Sequence, residues 1–378
     1  MEDKYINNIN FDDYFEKHSP GYVIDIYNNG SRQEYVLGDR ITKPNKEKAT
    51  SDTLYDIASL TKMFTGVLTY MAYEEGKIKL EDTIYSIDDN FINLKDVRII
   101  DLLSHNQNIW TNGYLGSVND KEEFYNILYS AYVKDNNPTY VDTHYIILAV
   151  VLEKIYNMSY EELCKTKIFN VLNMRNTTFN PDSNLCASNN FEHTSDKVID
   201  DIYPGLIHDT KGRVAKRYGL NLGHASVFTT GKDMLTFLET FFNNKLLKKE
   251  TIDFMLSHRN TNEDNYKKIV SLTNEKDVNK AYYELKKQDN NFSVPRTYNN
   301  MGTRYRNIID SLNDVPNAAS DNTISFSGYT GPMFSMDFDN KIIVLIMCNI
   351  IHNSKLNREE RKALTVEIMN KIFDNILN

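Results

Sequence analysis

Two strand patterns at opposite ends of the sequence place the strongest constraint on the fold. Near the N-terminus, residues 22–27 and 33–37 have the composition of strands and flank a turn sequence that contains Asn-Asn-Gly. Near the C-terminus, residues 333–338 and 341–347 are separated by a single Asp-Asn pair. Each pattern predicts a β-hairpin. We expect the two hairpins to share one antiparallel sheet, although most of the chain lies between them.

Helical patterns lie between the two hairpins and after the second one. Residues 358–377 carry apolar side chains at intervals of about four, which is typical of an amphipathic helix. Residues 60–75, 145–155 and 232–242 also favour helices. The predicted fold class is therefore α/β, with an antiparallel sheet flanked by helices and an inserted lobe that is mainly helical.

This arrangement predicts a discontinuous domain. Residues 1–83 and 301–378 are expected to form the α/β lobe, and residues 84–300 the mainly helical lobe. Within the helical lobe, residues 259–300 are strongly polar. They are expected to form a variable segment with a helix and surface loops.

The charge balance, the lack of a long apolar stretch and the spacing of the cysteines and histidines argue against several classes of function. The 378 residues carry a formal net charge of −9 without a long basic run, which argues against a nucleic-acid partner. No stretch is long and apolar enough to span a membrane, and the first residues lack the features of a secretory signal, so a cytoplasmic location is expected. The cysteines and histidines show no paired ligand spacing, so neither a metal nor a cofactor is predicted.

The sequence Ser59-Leu60-Thr61-Lys62 at the start of a predicted helix is the first candidate for chemistry. A serine hydroxyl is a weak nucleophile until a base accepts its proton. Residues three apart lie on one face of a helix, so the Lys62 amine can reach the Ser59 hydroxyl. The helix N-terminus also favours a developing oxyanion. Alone, however, this short pattern occurs by chance in many proteins.

The surrounding segment, residues 52–65, resembles the nucleophile segment of a known family. That family includes class C β-lactamases, D-Ala-D-Ala carboxypeptidases and related esterases of the family VIII type. Further segments resemble the family in the same order, namely residues 97–105, 160–177, 205–209 and 223–233. The resemblance covers roughly residues 20–350. It implies a transpeptidase-like fold and a serine hydrolase with Ser59 as the acylated nucleophile and Lys62 as its base.

The resemblance implies a second motif at Tyr140-Val141-Asp142, where family members usually have Tyr-x-Asn. Some esterase-like members carry the aspartate form. A carboxylate near Lys62 would stabilise the ammonium and make Lys62 a weaker resting base. Tyr140 would then be more important for relaying a proton from Ser59. Without the resemblance, a core tyrosine and a helix-capping aspartate would be the favoured interpretation.

The third motif of the family, usually Lys-Thr-Gly or His-Thr-Gly, corresponds here to Phe326-Ser327-Gly328. Its small residues would let the strand approach the substrate, and the backbone N–H groups of Ser59 and Tyr329 could form the oxyanion hole. Because the cation that helps to recognise a substrate carboxylate is replaced by Phe326, an uncharged or apolar group is favoured. An ordinary core role for Phe326 is about equally compatible with the sequence.

The predicted function is a serine hydrolase that forms an acyl-Ser59 intermediate. Its substrate would be a small-molecule ester or peptide, most simply an ester or a D-amino-acid ester or amide. The first alternative is a D-Ala-D-Ala carboxypeptidase or a β-lactamase. The second is a homologue with impaired catalysis that acts as a binding protein, an alternative kept open by Asp142, Phe326 and the replacement of the usual Ser-Gly after His105. The sequence predicts no oligomeric state.

Overall fold

A seven-stranded antiparallel sheet forms the centre of the protein. The computed structural model describes residues 4–15, 17–189, 204–257, 261–273, 275–290, 292–294, 296–352 and 356–378. The strands are β1 (Gly21–Asn28), β2 (Ser31–Ile41), β3 (Glu47–Lys48), β4 (Tyr55–Asp56), β5 (Asn108–Trp110), β6 (Tyr132–Asp135), β7 (Phe228–Thr229), β8 (Arg304–Tyr305), β9 (Thr323–Ser327), β10 (Met333–Asp337) and β11 (Ile342–Cys348). The order in the main sheet is β3-β2-β1-β11-β10-β9-β8. The pairing of β1 with β11 therefore joins the two ends of the chain, as predicted.

Helices cover both faces of this sheet. They are α1 (Asp12–Phe15), α2 (Thr61–Glu74), α3 (Ile84–Ile87), α4 (Ile99–Leu103), α5 (Lys121–Tyr129), α6 (Thr143–Tyr156), α7 (Tyr160–Cys164), α8 (Asn170–Leu172), α9 (Thr210–Arg217), α10 (Gly231–Leu238), α11 (Thr240–Asn243), α12 (Lys249–Leu256), α13 (Thr261–Leu272), α14 (Val278–Gln288) and α15 (Arg358–Leu377). The antiparallel sheet with flanking helices confirms the predicted fold class.

Alternation along the strands divides the apolar side chains between two cores. In β1, Val23 belongs to the core on the side of the helical region, whereas Ile24 belongs to the core beneath α15. All seven residues of β11 are buried, as expected for a strand covered on both faces. The larger core contains side chains from both predicted lobes, for example Phe64 and Leu148. The lobe boundaries at residues 83 and 300 stay a prediction.

The polar segment 259–300 differs from the prediction of one helix with surface loops. It holds two helices, α13 and α14, and these pack on a small core of their own. That core consists of Ile269, Ala281, Tyr282, Leu285, Val294 and Ile309. The few apolar residues sit on one face of otherwise charged helices, so the average polarity of the segment conceals them.

Within the described ranges, none of the helices combines the length and the apolar character that a membrane-spanning helix requires.

Candidate active site

Ser59 lies in a tight turn that connects β4 to α2. The turn, a single 3-10 turn over Ala58–Leu60, runs directly into the helix. Ala58 has a φ of 44°, a left-handed conformation that costs an L-residue about 1 kcal/mol or more. The buried carboxylate of Asp56 stabilises the turn by accepting hydrogen bonds from the N–H groups of Ala58 (2.9 Å) and His208 (2.8 Å). The strained turn directs the Ser59 hydroxyl into a cavity.

Lys62 is almost fully buried and donates three hydrogen bonds. Its Nζ lies 3.0 Å from the Ser59 hydroxyl, 2.8 Å from Asp142 Oδ1 and 3.2 Å from the carbonyl oxygen of His224. Burial lowers the pKa of Lys62, but the neighbouring Asp142 carboxylate and the Tyr140 phenol outweigh burial, and the net pKa is raised. The resting side chain is therefore an ammonium, and it can accept the Ser59 proton only after it has passed one of its own protons onward.

Asp142 connects Lys62 to a second, partly buried lysine. Its Oδ2 lies 3.1 Å from Nζ of Lys211, which lies 2.8 Å from Asp209 Oδ2, while Asp209 Oδ1 lies 2.9 Å from Nε2 of His224. Burial opposes ionisation of Asp142, yet Lys62 and its neighbours hold the pKa of Asp142 well below the usual range. Two ammonium groups and two carboxylates thus balance each other beside the nucleophile.

The same network bears on the prediction that no metal is bound. Ligand atoms of Asp142, Asp209 and His224 lie within 4.8 Å of one another, close enough to hold an ion. The ammonium groups of Lys62 and Lys211 already bond to these carboxylates, however. The lysines supply the positive charge that a metal would bring to such a group.

Tyr140 forms an aromatic wall next to Lys62. The Nζ of Lys62 lies 4.9 Å from the Tyr140 ring centroid. The buried His105 ring packs on Tyr140 at 4.5 Å and shares a hydrogen bond of 2.9 Å with His144 through the two Nδ1 atoms. Tyr298 also stacks on Tyr140, with a centroid distance of 6.0 Å, and its ring lies 5.2 Å from that of His105. Packing against these two rings restricts the orientation of the Tyr140 ring.

The end of β9 approaches the nucleophile turn closely. An added Cβ at Gly328 would lie 2.5 Å from the carbonyl oxygen of Ile57, so only glycine fits there. The Thr330 hydroxyl donates to the carbonyl oxygen of Asp56 at 2.6 Å and ties the two segments together. Ser327 and Tyr329 consequently line the same cavity as Ser59.

Phe326 does not occupy the substrate-contacting position that was predicted for it. Its side chain is 2% exposed, belongs to the main core and lies 6.4 Å from the Tyr140 ring. Side chains alternate along β9, and Phe326 points into the core while Ser327 borders the cavity. The geometry therefore gives Phe326 the core role that the sequence left open, as a support for Tyr140.

A single cavity of about 1010 Å³ brings together the predicted residues Ser59, Tyr140, Asp142, Ser327, Gly328 and Tyr329. Lys62 lies behind Ser59 and reaches the cavity only through its hydrogen bond to the Ser59 hydroxyl. Sequence reasoning missed Lys211, Asp209 and His224 as members of the site, although two of the three lie in segments that resemble the family. It also missed the cations Arg296, Arg304 and Lys362, which line another part of the cavity.

Comparisons with known proteins show the family and the fold. A family model described as Beta-lactamase matches residues 8–367. A putative D-alanyl-D-alanine carboxypeptidase of Salmonella typhi is 24% identical over 344 residues, 82% of this chain and 72% of that protein. Among solved structures, a beta-lactamase/D-alanine carboxypeptidase from Pseudomonas syringae has a TM-score of 0.69 at 15% identity and covers 98% of both chains. Simvastatin synthase from Aspergillus terreus has a TM-score of 0.69 at 14% identity, covering 97% of this chain and 95% of its own. At such identities, the solved structures support the fold alone.

Proposed function

Because the chain belongs to the Beta-lactamase family, we propose that it is a serine hydrolase that forms an acyl-Ser59 intermediate. The proposed substrate is an ester, or a D-amino-acid ester or amide. The observation that carries this proposal is the hydrogen bond of 3.0 Å between the Lys62 Nζ and the Ser59 hydroxyl, where Ser59 lines a cavity large enough for a small molecule.

The reaction has two balanced steps. The Ser59 oxygen attacks the carbonyl carbon, the bond to the leaving alcohol or amine breaks, and that group takes up the proton that Ser59 has lost. Water then attacks the acyl-enzyme, releases the acid and returns a proton to Ser59. Since Lys62 rests as an ammonium, the proton moves through Lys62 and Tyr140 together rather than to a free amine.

Backbone N–H groups complete the chemistry. Those of Ser59 and Tyr329 are the proposed donors to the oxyanion, and the close approach of Gly328 to the nucleophile turn supports their convergence. Ala58, in its strained conformation, fixes the direction of the first donor. The proposal needs no cofactor.

A D-Ala-D-Ala carboxypeptidase or β-lactamase activity is the second candidate, favoured by the name of the Salmonella typhi relative. Position 326 gives this candidate no support, because the buried Phe326 side chain cannot meet a substrate carboxylate. A member with impaired catalysis is the third. The raised pKa of Lys62 is compatible with that alternative.

One experiment separates the three candidates. The protein is incubated with p-nitrophenyl acetate, with a D-Ala-D-Ala peptide and with a fluorescent penicillin, and turnover is followed together with the mass of the peptide that contains Ser59. Ester turnover that disappears in Ser59→Ala and persists in the control Ser51→Ala, which alters an exposed serine, supports the proposal. Peptide or penicillin turnover supports the second candidate. A folded protein that reacts with none of these compounds supports the third.

A further inference from the structure

Three cations from two separate parts of the sequence meet in the cavity that contains Ser59. Arg296 follows the small satellite core, Arg304 lies on β8, and Lys362 lies in the second turn of α15. All three line the cavity, and each bonds to the buried carboxylate of Asp314. We call Arg296, Arg304, Lys362 and Asp314 the basic cluster.

The basic cluster carries more positive than negative charge. The Asp314 side chain is 4% exposed and is the one carboxylate that these three cations share among the described residues. Nearby, Arg358 and Glu359 also line the cavity and have opposite charges. Charges held away from bulk water are costly unless counter-charges meet them. The three cations of the basic cluster thus share one negative charge, and the cluster as a whole is positive.

Arg304 supplies the second observation. Its side chain is only 10% exposed, yet its Nε has no hydrogen-bond partner within the described ranges. Buried polar groups in native proteins nearly always have a partner, in the protein or in solvent or ligand. A guanidinium offers a planar set of donors that matches the oxygens of a carboxylate or a phosphate. The free donor of Arg304 and the excess charge point to the same kind of ligand.

Tyr298 links the basic cluster to the reaction centre. Its backbone forms a bridge with Arg304, and its ring stacks on Tyr140. The Tyr145 hydroxyl, which comes from α6, donates to the carbonyl oxygen of Met301 at 2.8 Å and anchors the turn between Tyr298 and Arg304. The position of the basic cluster relative to Ser59 is thus fixed by packing.

We propose that the basic cluster binds an oxyanion group, a carboxylate or a phosphate, that the substrate carries apart from its acyl group. The inference rests on the proposed function, since it names the class of substrate for Ser59. It also explains why position 326 can be apolar, because the cation of the third motif is replaced by cations from the satellite segment and from α15. Burial and the neighbouring Arg304 hold the pKa of Lys362 well below its usual range, and a bound anion would raise that pKa again.

A purely structural cluster would join the satellite segment to α15 without binding a ligand. A binding measurement distinguishes the two roles without relying on catalysis. Ser59→Ala protein is titrated at low ionic strength with inorganic phosphate and, separately, with acetate, and the heat of binding is recorded. Arg296→Met and Lys362→Met each remove one cation, and Arg296 is exposed enough (33%) for its variant to fold. Lys371→Met, at an exposed lysine paired with Glu367 on the same helix, is the matched control.

The expected result is saturable binding of at least one anion, weakened at least tenfold in Arg296→Met and Lys362→Met and within twofold of the parent in Lys371→Met. Stronger binding of phosphate identifies a phosphorylated substrate, and stronger binding of acetate identifies a carboxylate. Absence of binding, or equal binding by all variants, overturns the inference.

A turnover series then tests the connection to Ser59. Three acetate esters of matched length end in a phosphate, a carboxylate or a neutral methyl ether, and acetate release is measured for each. We expect at least tenfold higher kcat/KM for one anionic ester than for the neutral ester, and a tenfold loss of that ratio in Lys362→Met. Equal ratios in parent and variant overturn the inference while leaving the hydrolase proposal intact. Anion binding without turnover of any ester overturns the proposed function and leaves the anion site intact.

Discussion

The two ends of the cavity handle buried charge in opposite ways. Around Ser59, the ammonium groups of Lys62 and Lys211 are matched by two carboxylates, so the reaction centre is neutral as a group. In the basic cluster, a single carboxylate is shared by three cations. The first group is therefore balanced without a ligand, whereas the second keeps an excess of positive charge that the proposed anion would balance.

The largest effect is expected from Ser59→Ala, which changes the reaction centre and leaves the basic cluster intact. Removal of a nucleophile lowers turnover by about 10⁴-fold or more. The basic cluster contains no part of this step, so phosphate or acetate binding should stay within twofold of the parent. Steady-state hydrolysis and calorimetry on the same preparation check both halves. Residual turnover above about one tenth of the parent rate would contradict Ser59 as the nucleophile.

Asp314→Asn changes the basic cluster and leaves the reaction centre intact. It removes the carboxylate that the three cations share, and breaking a buried ion pair typically costs about 3 to 5 kcal/mol of unfolding free energy. Because added anions can take the place of the carboxylate, phosphate should recover part of the loss. Urea unfolding with and without phosphate measures this. A loss that phosphate does not reduce would indicate that the cluster admits no anion.

Lys211→Met unbalances the reaction centre without touching the nucleophile. Asp142 and Asp209 would then share fewer positive charges, and Asp142 would hold the Lys62 proton more tightly. We expect kcat to fall about 30-fold, with the alkaline limb of the pH profile moving upward. Lys211→Arg keeps the charge and is the matched variant that should recover most of the rate. Equal rates in both variants would show that the charge of Lys211 is not what matters.

The smallest expected effect concerns Asp56, which supports the strained turn. Burial raises the pKa of Asp56 to about 6 from 3.8, although the two N–H bonds favour the carboxylate. As the pH falls through about 6, protonation weakens those bonds, so kcat/KM should fall. Asp56→Asn should lower the plateau about tenfold and remove this acidic limb. An unchanged limb in Asp56→Asn would assign it to another group.

The pH dependence of folding stability that Asp56 contributes should run in the opposite direction to that of kcat/KM. The folded pKa, about 6, lies above the ordinary value of 3.8, so folding favours the protonated form. The stabilisation is fully present below about pH 4 and is lost as the pH rises through about 6. Thermal unfolding of parent and Asp56→Asn at several pH values checks the sign, because the variant should lack this component.

Local patterns explain what could be predicted. The helix α15 has the predicted bounds because its apolar spacing is visible in twenty consecutive residues. The contact between Ser59 and Lys62 follows from three-residue spacing on one helix. Asp142 could be placed near Lys62 only through the family resemblance, since 80 residues separate them.

Contacts between residues that are far apart in the sequence could not be predicted. A charged residue such as Arg296 in a polar segment normally faces solvent, and no local signal shows that it meets Lys362. Lys211 likewise follows a segment that resembles the family, but its partner Asp142 comes from a different helix start. Phe326 shows a further limit, because period-two alternation decides between core and cavity only when the strand register is known.

The satellite core beneath α13 and α14 makes part of the molecule modular. This segment buries its own apolar residues in a cluster separate from the main core. Yet the same segment contributes Arg296 and Tyr298 to the cavity. Evolution or protein engineering could therefore replace this segment to change which substrates bind. The residues that carry out the reaction would stay the same.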